Sequence, residues 1–162
     1  MFAIKYLSMF LMLVFGITVF TGCSEDEEVV APMSSTSKVL VTHASPDAPG
    51  VDLLVDNVIA ATNLTFPNST AYATLNSGTR NVKVNVTGTS TTALEANLNL
   101  AADKNYSVFA VNNVTSIEAI VLEDDLTAPA SGKAHVRFIH LSPNAPAVDI
   151  TLTDGTVVFG DY

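Results

Sequence analysis

From Lys38 onward, apolar and polar residues alternate along the chain. Val82, Val84 and Val86 fall on one side of a period of two, while Asn81, Lys83, Asn85 and Thr87 fall on the other. That is the pattern of a strand with one buried face. Leu94, Ala96, Leu98 and Leu100 alternate with Glu95, Asn97 and Asn99 in the same way. A strand is expected there too, with a short helix as the competing reading because Leu, Glu and Ala are good helix formers. Val108 to Val111 and Ala119 to Leu122 are apolar at every position, as expected of central strands covered on both faces. Turn-forming residues separate the runs: Asn76, Ser77 and Gly78; Gly88; Asp103, Lys104 and Asn105; Asn112 and Asn113; Asp154 and Gly155. Short strands at such intervals, with no helix-period segment among them, predict an all-β fold, an antiparallel immunoglobulin-like β-sandwich, with a barrel as the competing arrangement.

The first residues follow another rule. Lys5 is the one charge before an apolar run of fifteen residues, Tyr6 to Phe20, broken only by Ser8, Gly16 and Thr18. This is the plan of an export signal, and the run is shorter than the ~20 residues a membrane-spanning helix requires. Phe20, Thr21, Gly22 and Cys23 then resemble the lipobox of bacterial lipoproteins, with Phe20 where that family usually carries Leu, Val or Ile. The resemblance implies cleavage before Cys23 and lipid on its thiol and freed amine. Each buried methylene contributes ~0.8 kcal/mol, so two or three acyl chains anchor effectively for good. A chance cysteine behind an ordinary signal is the bland alternative. Ser24, Glu25, Asp26, Glu27 and Glu28 resemble the acidic surface-export signal of some outer-membrane lipoproteins, and equally suit a solvated tether. With Pro32 and the run Ser34 to Ser37, residues 24–37 read as a flexible linker of fourteen residues, spanning roughly 20 Å as a coil.

Charge narrows the partners. All sixteen acidic residues lie beyond Gly22, so the chain after that point carries six basic and sixteen acidic groups. The six cations stand singly between Lys38 and Arg137, whereas a nucleic-acid binder clusters them to displace phosphate counterions. No nucleic-acid partner is expected; the expected partner is a membrane, through lipid on Cys23. One cysteine in the whole sequence also rules out an intramolecular disulfide.

The chain contains a duplication. His43, Ala44, Ser45, Pro46, Asp47, Ala48, Pro49, Gly50, Val51 and Asp52 return 97 residues later as His140, Leu141, Ser142, Pro143, Asn144, Ala145, Pro146, Ala147, Val148 and Asp149, with seven of the ten positions identical. Together with Glu123 to Pro129, the doubled motif resembles domain-of-unknown-function family 4397 (DUF4397). That resemblance implies a secreted or lipid-anchored β-sandwich module and brings no catalytic residue. The expected organisation is a signal segment at 1–22, a lipidated tether at 23–37, a β-sandwich module at 38–131 and the start of a second copy at 132–162. The second copy reads either as cut short, leaving Val157, Val158 and Phe159 short of partners, or as completing the sheet of the first.

Candidate chemistry is sparse. His43 with Ser45, or His140 with Ser142, pairs a base with a hydroxyl, but two residues apart on a strand guarantees a shared face and not a contact, and no nucleophile elbow surrounds either serine. The expected role of His43, Ser45, Pro46, Pro49 and Asp52, and of His140, Ser142, Pro143, Pro146 and Asp149, is structural. The prolines kink the chain, the serine satisfies turn backbone and the histidine braces it. Asp47, Asp52, Asp56 and Glu123 to Asp125 offer oxygen ligands without a calcium-loop spacing. The three histidines, His43, His135 and His140, with the cysteine assigned to lipid, make no zinc set. Asn63, Asn68, Asn85, Asn105 and Asn113 open N-x-Ser/Thr triplets, which matter only in a eukaryotic secretory path. HExxH, GxSxG, a phosphate-cradling glycine loop and a dinucleotide fingerprint are all missing from the sequence. Neither a metal nor a cofactor is expected, nor an enzyme. The leading expectation is a surface-displayed binding or adhesion module for a glycan or protein ligand, followed by a spacer repeat that projects another domain, and last by a hydrolase.

Overall fold

A computed structural model describes residues 35–160. The expected signal segment, Cys23 and nearly all of the expected tether lie outside the described residues. Ten strands follow in order: β1 (Thr36–His43), β2 (Val51–Val55), β3 (Val58–Leu64), β4 (Ala73–Asn76), β5 (Gly78–Val86), β6 (Thr92–Leu100), β7 (Asn105–Val111), β8 (Glu118–Asp124), β9 (Ile150–Thr151) and β10 (Val157–Phe159). One 3₁₀ turn, Val114–Ser116, stands between β7 and β8. No helix among the described residues is long and apolar enough to cross a membrane.

Two four-stranded sheets form the sandwich, in the orders β4-β1-β7-β8 and β3-β2-β5-β6. The alternation read from the sequence decides which side chains face inward. Val39 and Val41 on β1 and Tyr106 and Val108 on β7 meet Val51 and Leu53 on β2, Val82 and Val84 on β5, and Leu98 and Leu100 on β6 in one buried cluster. Leu94 to Leu100 are strand, and every expected turn falls between strands.

Two features depart from simple hairpin expectations. β1 and β7 pair in parallel, Lys38 opposite Asn105 through His43 opposite Ala110, while the other ladders are antiparallel. Ala119 to Leu122, expected in a central strand, lie in β8, which is an edge. Its apolar outward positions Ile120 and Leu122 are only half-buried.

Local chemistry explains the corners. Asp56 and Asn57 both have positive φ, the conformation of the tight turn that suits the twist of the β2–β3 hairpin. Where the chain leaves β6 for the other sheet, Ala101 has both backbone groups held by inward side chains: Ser37 Oγ donates to its carbonyl at 2.7 Å, and its N–H donates to Tyr106 Oη at 3.1 Å. β9 and β10 pair with each other and join neither large sheet. They therefore do not complete the first sandwich, and Val157 and Val158 are exposed.

Candidate functional site

The first copy of the repeated motif is built into the structure. β1 places Ser37, Val39, Val41 and His43 on its inward side, and His43 is 1% exposed. Its Nε2 lies 3.1 Å from the Pro49 carbonyl, so this nitrogen carries the proton and donates across the turn. Nδ1 is buried without a partner, which costs about 1–3 kcal/mol of lost hydration. The chain then turns at Pro46 and Asp47. Ser45 is fully buried, but its Oγ faces Asp47 Oδ1 at a long 3.4 Å and meets no turn backbone. Asp47 reaches out of the motif instead: its Oδ1 accepts the Val114 N–H of the 3₁₀ turn at 2.9 Å.

Asp52 is the most heavily bonded residue of the motif. Its carboxylate accepts from the Asn63 N–H (2.9 Å), the Thr87 hydroxyl (3.1 Å) and the Gly88 N–H (3.2 Å), joining β2 to β3 and to the β5–β6 turn. The Asn63 N–H first, with the Gly88 N–H and the Thr87 hydroxyl, holds this carboxyl below the usual aspartate range against the smaller opposing effect of burial. Histidine and serine are thus brought near each other without forming a base and nucleophile pair.

The second copy repeats the sequence in a different setting. His140 is half-buried and Ser142 exposed; the Ser142 N–H points at His140 Nδ1 at 3.3 Å. A β-carbon on Gly160 would stand 3.2 Å from Asp149 Oδ1. Pro143, with Leu141 and Ser142, faces Ala44, Pro46 and Phe66 of the first copy across a small hollow. Pro146 is exposed.

The acidic candidates are occupied by side chains and backbone. Asp56 meets Arg80 at 3.1 Å and the Asn81 N–H, and Glu123 meets Lys104 at 2.6 Å, a contact that raises the Lys104 ammonium. Asp125 caps Thr127, whose hydroxyl and N–H lower its carboxyl. Among the described residues no three His, Cys, Asp or Glu side chains stand where they would hold a metal ion. His43, His135 and His140 are not brought together as a set.

Sequence reasoning named Asp124 only as a possible oxygen ligand and missed its partners, and it missed a cleft altogether. The Asp124 side chain is 7% exposed on the outward face of the β4-β1-β7-β8 sheet. It accepts from Tyr72 Oη (2.8 Å) and Ser107 Oγ (2.7 Å) and is paired with Arg137, whose guanidinium also donates to the Glu123 carbonyl at 2.6 Å. Burial first, then the Asp124 carboxylate, pushes the Tyr72 phenol above its ordinary value. The cleft, of about 610 Å³, lies between the free edges of β3 and β4. Its floor is Val39, Val41, Leu53 and Val82, its walls include Ala60, Ala61, Ala71 and Ala73, and no charged residue lines it. One end is closed by the β3–β4 connection, which runs along β1: the Thr70 N–H donates to the Val41 carbonyl at 2.9 Å and Thr42 bridges Ser69. The only signal in the sequence was the run of alanines, and alanine does not announce that it faces open space.

No curated protein matches the chain. Residues 37–151, more than two thirds of its length, match the family model described as Domain of unknown function (DUF4397). The boundaries run from β1 to the hairpin of the second copy, and the chain belongs to the DUF4397 family.

Proposed function

We propose that this chain is an exported, lipid-anchored protein of the cell envelope whose DUF4397 module is a non-catalytic binding domain, displayed at the surface on a tether that follows Cys23. The observation that carries the binding reading is the cleft between β3 and β4, a concave, largely apolar site with uncharged polar groups at its rim, which is the usual make-up of a ligand pocket. The non-catalytic reading is supported by the motif itself. His43 donates to a backbone carbonyl, Ser45 is closed off from solvent, and Asp52 is saturated by three donors.

Placement is tested by protease shaving of intact cells, comparing the unaltered chain with Cys23→Ala. Membrane-bound protein that is lost from unbroken cells, and a Cys23→Ala form that is soluble or unprocessed, is the expected result. A membrane-bound chain that resists protease turns the domain toward the periplasm, and an unaltered chain that is never membrane-bound removes the anchor. Binding is tested on glycan, matrix-protein and envelope panels.

A spacer role is favoured by one observation, the Asp124–Arg137 pair, which ties the second motif copy to the first module. Such a tie would fix the direction in which successive copies project.

A further inference from the structure

We infer that the β3–β4 cleft takes the apolar chain of an uncharged amphiphile, with its polar head at the rim beside Thr62, Asn63 and Asn68; this rests on the binding role proposed above.

Register shows that the cleft belongs to the interior of the sandwich. Ala73 pairs with Val39 and Ala61 with Leu53. Residues paired across a ladder point to the same face, so both alanines point inward, toward the layer where β1, β2, β5 and β6 place valine and leucine. Ala73 is nevertheless exposed and Ala61 half-exposed. The space that larger side chains would fill is open to solvent between two sheets. Sheets packed face to face stand ~10 Å apart, which leaves room for a single layer of atoms, the thickness of one extended hydrocarbon chain. An apolar cavity of this kind gives water few partners and accepts apolar guests.

The rim selects the head group. The chain carries twenty-three Asp, Glu, Lys and Arg residues, yet none lines the cleft. A carboxylate, phosphate or ammonium would lose hydration there without meeting a countercharge. Amide and hydroxyl groups suit a glycerol or sugar head instead.

The edges argue against a peptide. A strand added to a sheet needs a straight run of free backbone groups. β4 offers four residues, and β3 is interrupted by two register shifts, between the Val51 and Leu53 pairings and between the Leu53 and Leu54 pairings. Such irregularities blunt an edge against strand addition. A second copy of the chain would face the same broken edges and a like net charge of −9.

The test is calorimetric titration of the full chain carrying Cys23→Ala, which leaves no lipid of its own to compete, with monodecanoin and monolaurin below their aggregation concentrations. Decanoate and laurate serve as charged counterparts. Two variants, Ala61→Leu and Ala73→Leu, fill the cleft from opposite walls. Saturable binding of the monoglycerides is expected, tighter for the longer chain, weaker by about tenfold or more for the matching carboxylates and in both filled variants, with a melting temperature in each filled variant no lower than that of the parent. Binding that is unchanged in a folded filled variant, or equal for glyceride and carboxylate, overturns it. If monoglycerides fail to bind while capture of another ligand is lost on filling, the amphiphile is wrong and the cleft stays the site. If filling alters no binding at all, the cleft reading falls with it.

Discussion

The side-chain oxygen of Asn63 occupies the place where glycine leaves room at position 50: a β-carbon on Gly50 would stand 2.5 Å from Asn63 Oδ1 and 3.2 Å from Thr65 Cγ2. Asn63 is held in that place from the other side as well, because the Asp52 carboxylate accepts its N–H at 2.9 Å.

Gly50→Ala alone is therefore expected to destabilise the module by about 1 kcal/mol, the low end for overpacking, because the Asn63 amide can turn aside at some cost. Asn63→Gly in the same chain relieves the clash, and glycine tolerates the φ of +50° that Asn63 adopts. A double-mutant cycle in urea should show a favourable coupling of more than about 0.5 kcal/mol. Additive effects of the two changes would mean that the contact does not decide the residue at position 50.

His43→Ala should cost about 3 kcal/mol, because it opens a cavity at a residue 1% exposed and removes the donor to Pro49. His140→Ala, at the matching position in the second copy, should cost less than about 1 kcal/mol, since that ring is half-buried and its hydrogen bond, from the Ser142 N–H, is a long 3.3 Å. Urea unfolding of the two variants side by side separates them. Equal costs would show that sequence identity, and not burial, sets the role of the motif.

Much of this fold was written in the sequence. Val82, Val84 and Val86 alternate because β5 has one buried face, and the turn residues Gly88, Asp103 and Asn112 adopt the positive φ that their types favour. Pairing partners were not legible, because which strand lies beside which depends on the whole topology. Nothing local in Lys38 to His43 says that their neighbour is β7 or that it runs parallel. Ile120 and Leu122 read as central for the same reason. They are an edge, and the chain after β8 returns to that face, where Arg137 meets Asp124. The 3.1 Å contact of His43 with the Pro49 carbonyl joins two residues of one short motif, whereas the cleft was invisible because an alanine reads alike whether or not a neighbour covers it.

Acid should weaken the module partly through Asp52. Its folded value is lowered, so the stability it contributes is complete above the unfolded aspartate value of about 3.9 and fades as pH falls through the lower folded value. Asp125 and Asp154, lowered by their own bonds to Thr127 and Thr156, act in the same direction. Asp52→Asn should reduce the slope of urea midpoint against pH below about 4 without abolishing it. A slope unchanged by the substitution would mean that the three donors to Asp52 hold it no better than the unfolded chain does.

Arg137 is the residue on which attachment of the second motif copy should depend. Its guanidinium reaches both the Asp124 carboxylate and the Glu123 carbonyl, and Asp124 is fixed in turn by Tyr72 and Ser107. The neighbours of Arg137 give little help: Val136 is 75% exposed, and residues 133–140 form no strand, although their counterparts in the first copy lie in β1. Asp124 is nearly buried while Arg137 is partly exposed, so removing the arginine leaves a desolvated carboxylate without its countercharge. Arg137→Ala should therefore speed proteolytic cleavage within residues 133–143 while leaving the amides of β2, β5 and β6 protected from exchange, since the core cluster contains none of these residues. Asp124→Asn keeps an acceptor oxygen for Tyr72 and Ser107 but removes the charge, and should speed cleavage of the same segment. Unchanged cleavage in both variants would show that other contacts hold the segment; loss of amide protection throughout would show that the two copies fold as one cooperative unit.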